Sequence, residues 1–324
     1  LFAFDSATGQ LIWEKQRPVG SSWASPIIAE AAGKTQILTL AVPWTIAYDA
    51  KDGSELWRLG EMGGEVTPSP IFSAGVFYVI SPSESLRAIK PDGRSDITKT
   101  HIAWTSDEWV PDICSPVSNG ELLFTMTTSG ILTCFDAKTG KKQWDHEFEM
   151  EFRASPSIAG NRLYLLETTG KVIVLEVGRQ FKELARSDLA EPLFASPAFA
   201  KDRIYIRGTK TLFCIGGEQP ENRPTKQTAF SPSGKPLIPQ VPPPTLSLSL
   251  ATSVAVATLE PAKDWPQWRG PRRDGVSLEK NLLKEWPENG PPLMWDSSVV
   301  NPGKDDRLGI SWSTVSIANG RLFT

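Results

Sequence analysis

The chain has 324 residues and a formal net charge of -3, so it carries no basic excess to hold a phosphate backbone, which argues against nucleic acid as a partner. Two histidines and three cysteines, with no C-x-x-C and no adjacent Cys pair, are a poor basis for a histidine triad, a multi-histidine metal centre or a disulfide framework. The 12 Trp, 25 Gly and 27 Pro residues point instead to many short strands joined by tight turns, with Trp wedged between layers.

Leu1 already falls inside a predicted strand, and the first complete element is AFDSATGQLIW, residues 3 to 13. Nearly the same words return as AYDAKDGSELW at 47 to 57 and CFDAKTGKKQW at 134 to 144. The shared frame is Asp, three residues, Gly, three residues, Trp: Asp5, Gly9, Trp13; Asp49, Gly53, Trp57; Asp136, Gly140, Trp144. The Asp can accept from backbone amides two residues on and the Gly can take positive φ, so each module predicts a tight hairpin between strands. One Asp per turn reads as turn structure rather than as a row of catalytic carboxylates. The Trp opens the outgoing strand and is read as a residue that docks one module against the next.

A second marker is Ser-Pro, at Ser25-Pro26, Ser69-Pro70, Ser115-Pro116, Ser155-Pro156 and Ser196-Pro197, spaced 44, 46, 40 and 41 residues apart. After each come an apolar strand, a Gly or polar turn, and a second strand such as GVFYVI, ELLFTM, NRLYLL or DRIYIR. About four strands per period with almost no helical periodicity predict an all-β chain of β-propeller blades, stacked radially so that their faces are buried. Cys134 and Cys214 fall in one column of the repeat with Ala3, Ala47, Ala88 and Val174, so both are read as small core residues. Cys114 adjoins Ser115-Pro116 without a nearby His motif, weak grounds for a nucleophile.

Residues 1 to 218 therefore predict propeller blades, and residues 219 to 263 a linker. The linker is dense in proline up to PQVPPP, which favours an extended chain. Its end, LSLSLATSVAVATLEPA (246 to 262), has the apolar and small-residue character of a secretory signal, or is a plain linker or one more strand; it is too short to span a bilayer as a helix. Residues 264 to 324 open with DWPQWRGPRRDGVS, whose Arg269, Arg272 and Arg273 are offset by Asp264 and Asp274 and read as a polar strap across the propeller face. They close on NGRLFT, which matches the first half of NGELLFTMTTSGILTCFDAKTG (119 to 140), as LFAFDSATG matches its second half.

The A-x-D-x-x-T-G-x-x-x-W frame resembles the pyrroloquinoline quinone (PQQ)-like repeat of quinoprotein dehydrogenases and BamB-type outer-membrane assembly factors. DWPQWRGPRRDGVS with LLKEWPENGPPLMW (282 to 295) is similar to the start of a group of secreted bacterial propellers of that kind. The resemblance implies four-stranded blades and an extracytoplasmic location. It also places WPQWRGP at the start of the mature protein, whereas here it begins late in the chain. Two arrangements follow. In a permuted ring of about six blades, 311 to 324 and 1 to 14 share a blade and Trp295 helps to close the blade that ends at Cys214. In the other, the chain holds parts of two larger propellers, since the resemblance implies rings of about eight blades.

Residues just before each Ser-Pro differ from blade to blade and are expected near one mouth of the central channel, where specific function is grafted on a repeated scaffold. They include Trp23, Thr67, Ile113, Arg153, Phe194 and Trp312, with Trp109, Glu108 and Asp112 from a longer loop. Aromatic faces beside one Arg suit a flat anionic ligand or a peptide. The enzymes the repeat resembles hold PQQ with Ca²⁺ through carboxylate and amide oxygens, a catalytic Asp and often a vicinal disulfide. No such set can be placed residue by residue here. The expectation is a non-catalytic extracytoplasmic module that binds a protein, peptide or envelope component, without cofactor or transmembrane segment; the alternative is a PQQ- and Ca²⁺-dependent oxidoreductase.

Overall fold

The computed structural model describes residues 1–6, 8–216, 265, 267–279, 282–283, 291–298, 316–318 and 321–323. Two strands open it, β1 (Phe2–Phe4) and β2 (Leu11–Glu14), paired as a hairpin. The first full blade is β3 (Ile27–Ala31), β4 (Lys34–Leu40), β5 (Thr45–Asp49) and β6 (Glu55–Leu59). The second is β7 (Ile71–Ser73), β8 (Val76–Ser81), β9 (Ser85–Ile89) and, after a short β10 (Ser95–Asp96) that lies parallel to β6, β11 (Ile102–Ser106). The third is β12 (Val117–Ser118), β13 (Leu122–Met126), β14 (Ile131–Asp136) and β15 (Lys142–Glu147), and the fourth β16 (Ser157–Ala159), β17 (Arg162–Leu166), β18 (Lys171–Glu176) and β19 (Glu183–Asp188).

The fifth blade takes β20 (Ala198–Ala200), β21 (Arg203–Arg207) and β22 (Thr211–Gly216) from one part of the chain and its outer strand from another. After β23 (Val276–Ser277), β24 (Leu293–Ser298) pairs with β22, setting Trp295 opposite Cys214 in backbone register. The last hairpin is β25 (Ser316–Ala318) and β26 (Arg321–Phe323). The fold is an all-β propeller with antiparallel blades. Among the described residues β1–β2 and β25–β26 remain separate two-stranded sheets. The proline-rich and signal-like segments lie outside the described residues, and no helix of these is long and apolar enough to cross a membrane.

The hairpin module works as its composition demands. Asp136 Oδ1 accepts from the Thr139 amide and hydroxyl, at 3.0 and 2.8 Å, and the Gly140 amide donates to the Asp136 carbonyl at 2.9 Å. Asp5, Thr8 and Gly9 repeat the arrangement, and Gly53 donates to Asp49 in the same way. The Thr139 hydroxyl, with the Arg179 guanidinium, holds the Asp136 carboxyl below its usual range. The small column is explained by its neighbours on both sides. Ala47 lies between Leu38 and Trp57, Ala88 between Tyr78 and Trp104, and Cys134 between Phe124 and Trp144. A large residue there would collide with two others in a packed layer.

Ser-Pro has a part that joins blades. The Ser25 amide donates to Ser69 Oγ at 2.9 Å, the Ser69 amide to Ser115 Oγ at 2.9 Å and the Ser115 amide to Ser155 Oγ at 3.0 Å. The Ser196 hydroxyl then donates to the Ser155 carbonyl at 3.1 Å. Proline holds each Ser extended, so its amide points at the next blade instead of entering a turn. We expect Ser115→Ala to cost about 2 kcal/mol, because it strands the buried Ser69 amide. Ser25→Ala, whose hydroxyl holds no neighbouring blade, serves as control; urea unfolding of both variants checks the difference.

Candidate functional site

Trp265 and residues 267–279 form a strap that touches blade after blade. Arg269, 0% exposed, donates through Nη2 to the Pro116 carbonyl of the third blade at 2.5 Å and to Asp274 O at 3.2 Å. Arg273 Nη1 reaches the Pro26 carbonyl of the first blade at 2.9 Å. Val276 and Ser277 pair in parallel with Ile158 and Ala159 of the fourth, and Glu279 accepts from the amides of Lys201 and Asp202 in the fifth, at 2.8 and 3.1 Å. Burial pulls the Arg269 guanidinium down to about 10, against the opposing effect of the Asp274 charge.

Of the residues expected at the channel mouth, Trp23, Arg153 and Phe194 keep equivalent places two residues before Ser-Pro. Trp23 is 75% exposed, its amide bonded to the Val66 carbonyl at 2.9 Å. Arg153 pairs with Glu151 at 2.5 Å, and Phe194 is half-buried. Trp312 lies outside the described residues. Trp109 lines a cleft, with Ser83, Asp107, Val110, Asp112, Glu149 and others.

This cleft of about 850 Å³ is built by the loops into β12 and β16 and by the turns after β8 and β13. Trp109 is 51% exposed with φ +46°, and Ser83 and Glu149, at φ +60° and +42°, share the left-handed region. Three such residues on one wall are costly for side chains with a Cβ, most of all for a Trp. Asp112 Oδ1 fastens the loop by accepting from the Thr128 hydroxyl at 2.5 Å and amide at 3.2 Å. Glu108 is paired with Lys142. Asp107, Asp112, Glu149 and Glu151 give the lining an acidic character, and no basic side chain belongs to it. A flat anion is therefore the wrong ligand for this place. An indole beside carboxylates suits a cationic side chain.

All three thiols are buried, and burial pushes Cys114 and Cys134 up to about 12, so neither is a thiolate nucleophile near neutral pH. Sequence reading missed Trp104, which docks like Trp13 and Trp144. Its indole donates to the Ala137 carbonyl at 3.0 Å, as Trp144 does to Gly178 O at 3.0 Å and Trp13 to Ala50 O at 3.1 Å. β10 lies between its hairpin glycine, Gly93, and the Trp and breaks the frame; the remaining signal is the pair of residues Ile102 and Trp104 on one strand.

The family model for outer membrane protein assembly factor BamB matches residues 1–113 and again 98–209. Among solved structures, the crystal structure of BamB from Moraxella catarrhalis is similar at 13% identity and a TM-score of 0.49; the match covers 64% of this chain and 62% of that one. No curated protein matches the sequence. With two matches that together cover more than half of its length, the chain belongs to the BamB family of PQQ-like repeat propellers.

Proposed function

We propose that the protein is a non-catalytic, extracytoplasmic propeller that binds a protein or peptide segment of the cell envelope, seated at the Trp109 cleft. The observation that carries this reading is an exposed indole, at a positive-φ residue, lining one cleft with Asp107 and Glu149, whose carboxylates make no side-chain hydrogen bond or ion pair among the described residues. Family membership supports it, since the matched model is that of an assembly factor. A Lys or Arg side chain from the partner would stack on Trp109 and place its charge between Asp107 and Glu149. The attraction weakens as salt rises.

The oxidoreductase reading rests on the resemblance of the repeat. The proposal includes no cofactor. Fluorescence titration with an end-blocked octalysine peptide is the test. We expect saturable, salt-sensitive binding that Trp109→Ala weakens about tenfold or more without lowering the melting temperature. Equal binding by wild type and variant would remove Trp109 from the site.

A further inference from the structure

Among the described residues the strap adds a paired strand to the fourth blade. Register makes Ile28, Phe72, Ser118, Ile158, Phe199 and Ile317 equivalent: each is the second residue after Pro, or its counterpart, on an innermost strand. In the fourth and fifth blades and in β25 this position is covered. Trp265 stands edge-on to Phe199 at 5.4 Å and bridges Ile317 through the backbone, and Val276 lies against Ile158. Ile158 and Phe199, packed in cores shared with the preceding blade, are 1% exposed and Ser118 is 4% exposed, whereas Phe72 is half-buried and Ile28 is 66% exposed. Between Ile28 and the strap lies a chamber of about 700 Å³, lined by Ile28, Phe72, Asn119, Pro271, Val276 and neighbours. It opens among the turns that join β3 to β4, β7 to β8 and β12 to β13, on the face opposite the Trp109 cleft.

The walls of this chamber are strand edges. β3, β7 and β12 each stand last in their sheets, so among the described residues their outward backbone groups carry no strand partner. The same edge of β16 shows what such groups accept: the strap adds to it as a parallel strand, with the Ile158 amide donating to the Gly275 carbonyl at 2.8 Å. Charges at the rim are satisfied internally. Arg272 pairs with Asp274 at 2.9 Å, and Glu30 accepts from the Thr35 hydroxyl at 2.6 Å. A small apolar molecule would cover Ile28 but leave the rows of amides and carbonyls unmatched, whereas an extended backbone matches both.

We propose that this chamber receives an extended, uncharged peptide segment of another protein, added as a strand to that outward edge of β3 or β7 with an apolar side chain against Ile28 and Phe72. The inference shares with the proposed function only the idea of a peptide partner, and uses other residues on the other face. Failure at either place therefore leaves the other standing.

The test is hydrogen exchange of the full chain with and without a pool of end-blocked octapeptides in which Val or Ile alternates with Ser or Thr. We expect exchange at 27–31 or 71–74 to slow by at least about tenfold. Ile28→Lys, on an exposed side chain and checked by an unchanged melting temperature, should abolish the slowing, and Trp109→Ala should leave it intact. A parallel arm uses the dye 1-anilinonaphthalene-8-sulfonate. Dye binding that depends on Ile28, without slowed exchange at either strand, would mean a pocket for small apolar molecules and overturn the proposal. Slowing confined to 157–159, where the strap sits, or to the Trp109 loops would overturn it equally, as would no slowing at all.

Discussion

Trp57→Ala is expected to lower the stability of the propeller by about 4 kcal/mol, the upper range for a buried aromatic. The ring is 0% exposed and lies 5.9 Å from Phe77 of the next blade, so truncation opens a cavity at a blade boundary. It also strands a polar group. Trp57 Nε1 donates to Gln36 Oε1 at 3.0 Å, while Gln36 Nε2 donates to the carbonyls of Ala31 and Pro91, both at 3.0 Å. The amide thus ties two blades together and needs the indole to complete it. Trp57→Phe refills most of the space but leaves Oε1 buried without a donor, and about 2 kcal/mol is expected from that alone. Urea unfolding of the three proteins gives both differences. Equal stability of the Phe variant and wild type would show that the hydrogen bond contributes nothing net.

The second expected result separates a turn from what packs on it. Gly9 and Gly140 occupy the same place in the hairpin, with φ of +70° and +71°. A Cβ at Gly9 meets nothing within 4 Å, so Gly9→Ala carries only the left-handed backbone penalty of about 1 kcal/mol. At Gly140 the same Cβ would stand 2.5 Å from Cδ2 of Trp104, the docking residue of the preceding blade. The indole must move, and it gives up its bond to the Ala137 carbonyl. We expect about 3 kcal/mol for Gly140→Ala, strain and overpacking together. Thermal melts of the pair check the prediction; equal shifts would mean that the indole yields without cost.

The blade was legible because its causes are local and repeated. Asp136, Thr139 and Gly140 satisfy one another within five residues, so any chain with that frame makes the same turn. The column of Ala47, Ala88 and Cys134 was visible for a related reason: alternation along a strand fixes which residues face the large neighbours. Ser-Pro was legible as punctuation, though the chain of amides bonded to hydroxyls across blades was not, since its partners stand 40 to 46 residues apart. Trp109 was picked out because it does not recur. Its surroundings were beyond reach, because the turn at 127–129 and the loop at 149–151 come from the following blade and carry no pattern of their own.

The sequence by itself determined the all-β class, the four-stranded repeat, the hairpins and the family, all of which depend on contacts within one period. Only the tertiary structure decided where the candidate surfaces lie. Arg269 meets its carbonyl 153 residues away and Arg273 meets Pro26 at a separation of 247. Contacts of that reach leave no periodic imprint on the residues that make them. They bury Arg269 of an arginine run that reads as solvated and fix the strap to the first and third blades.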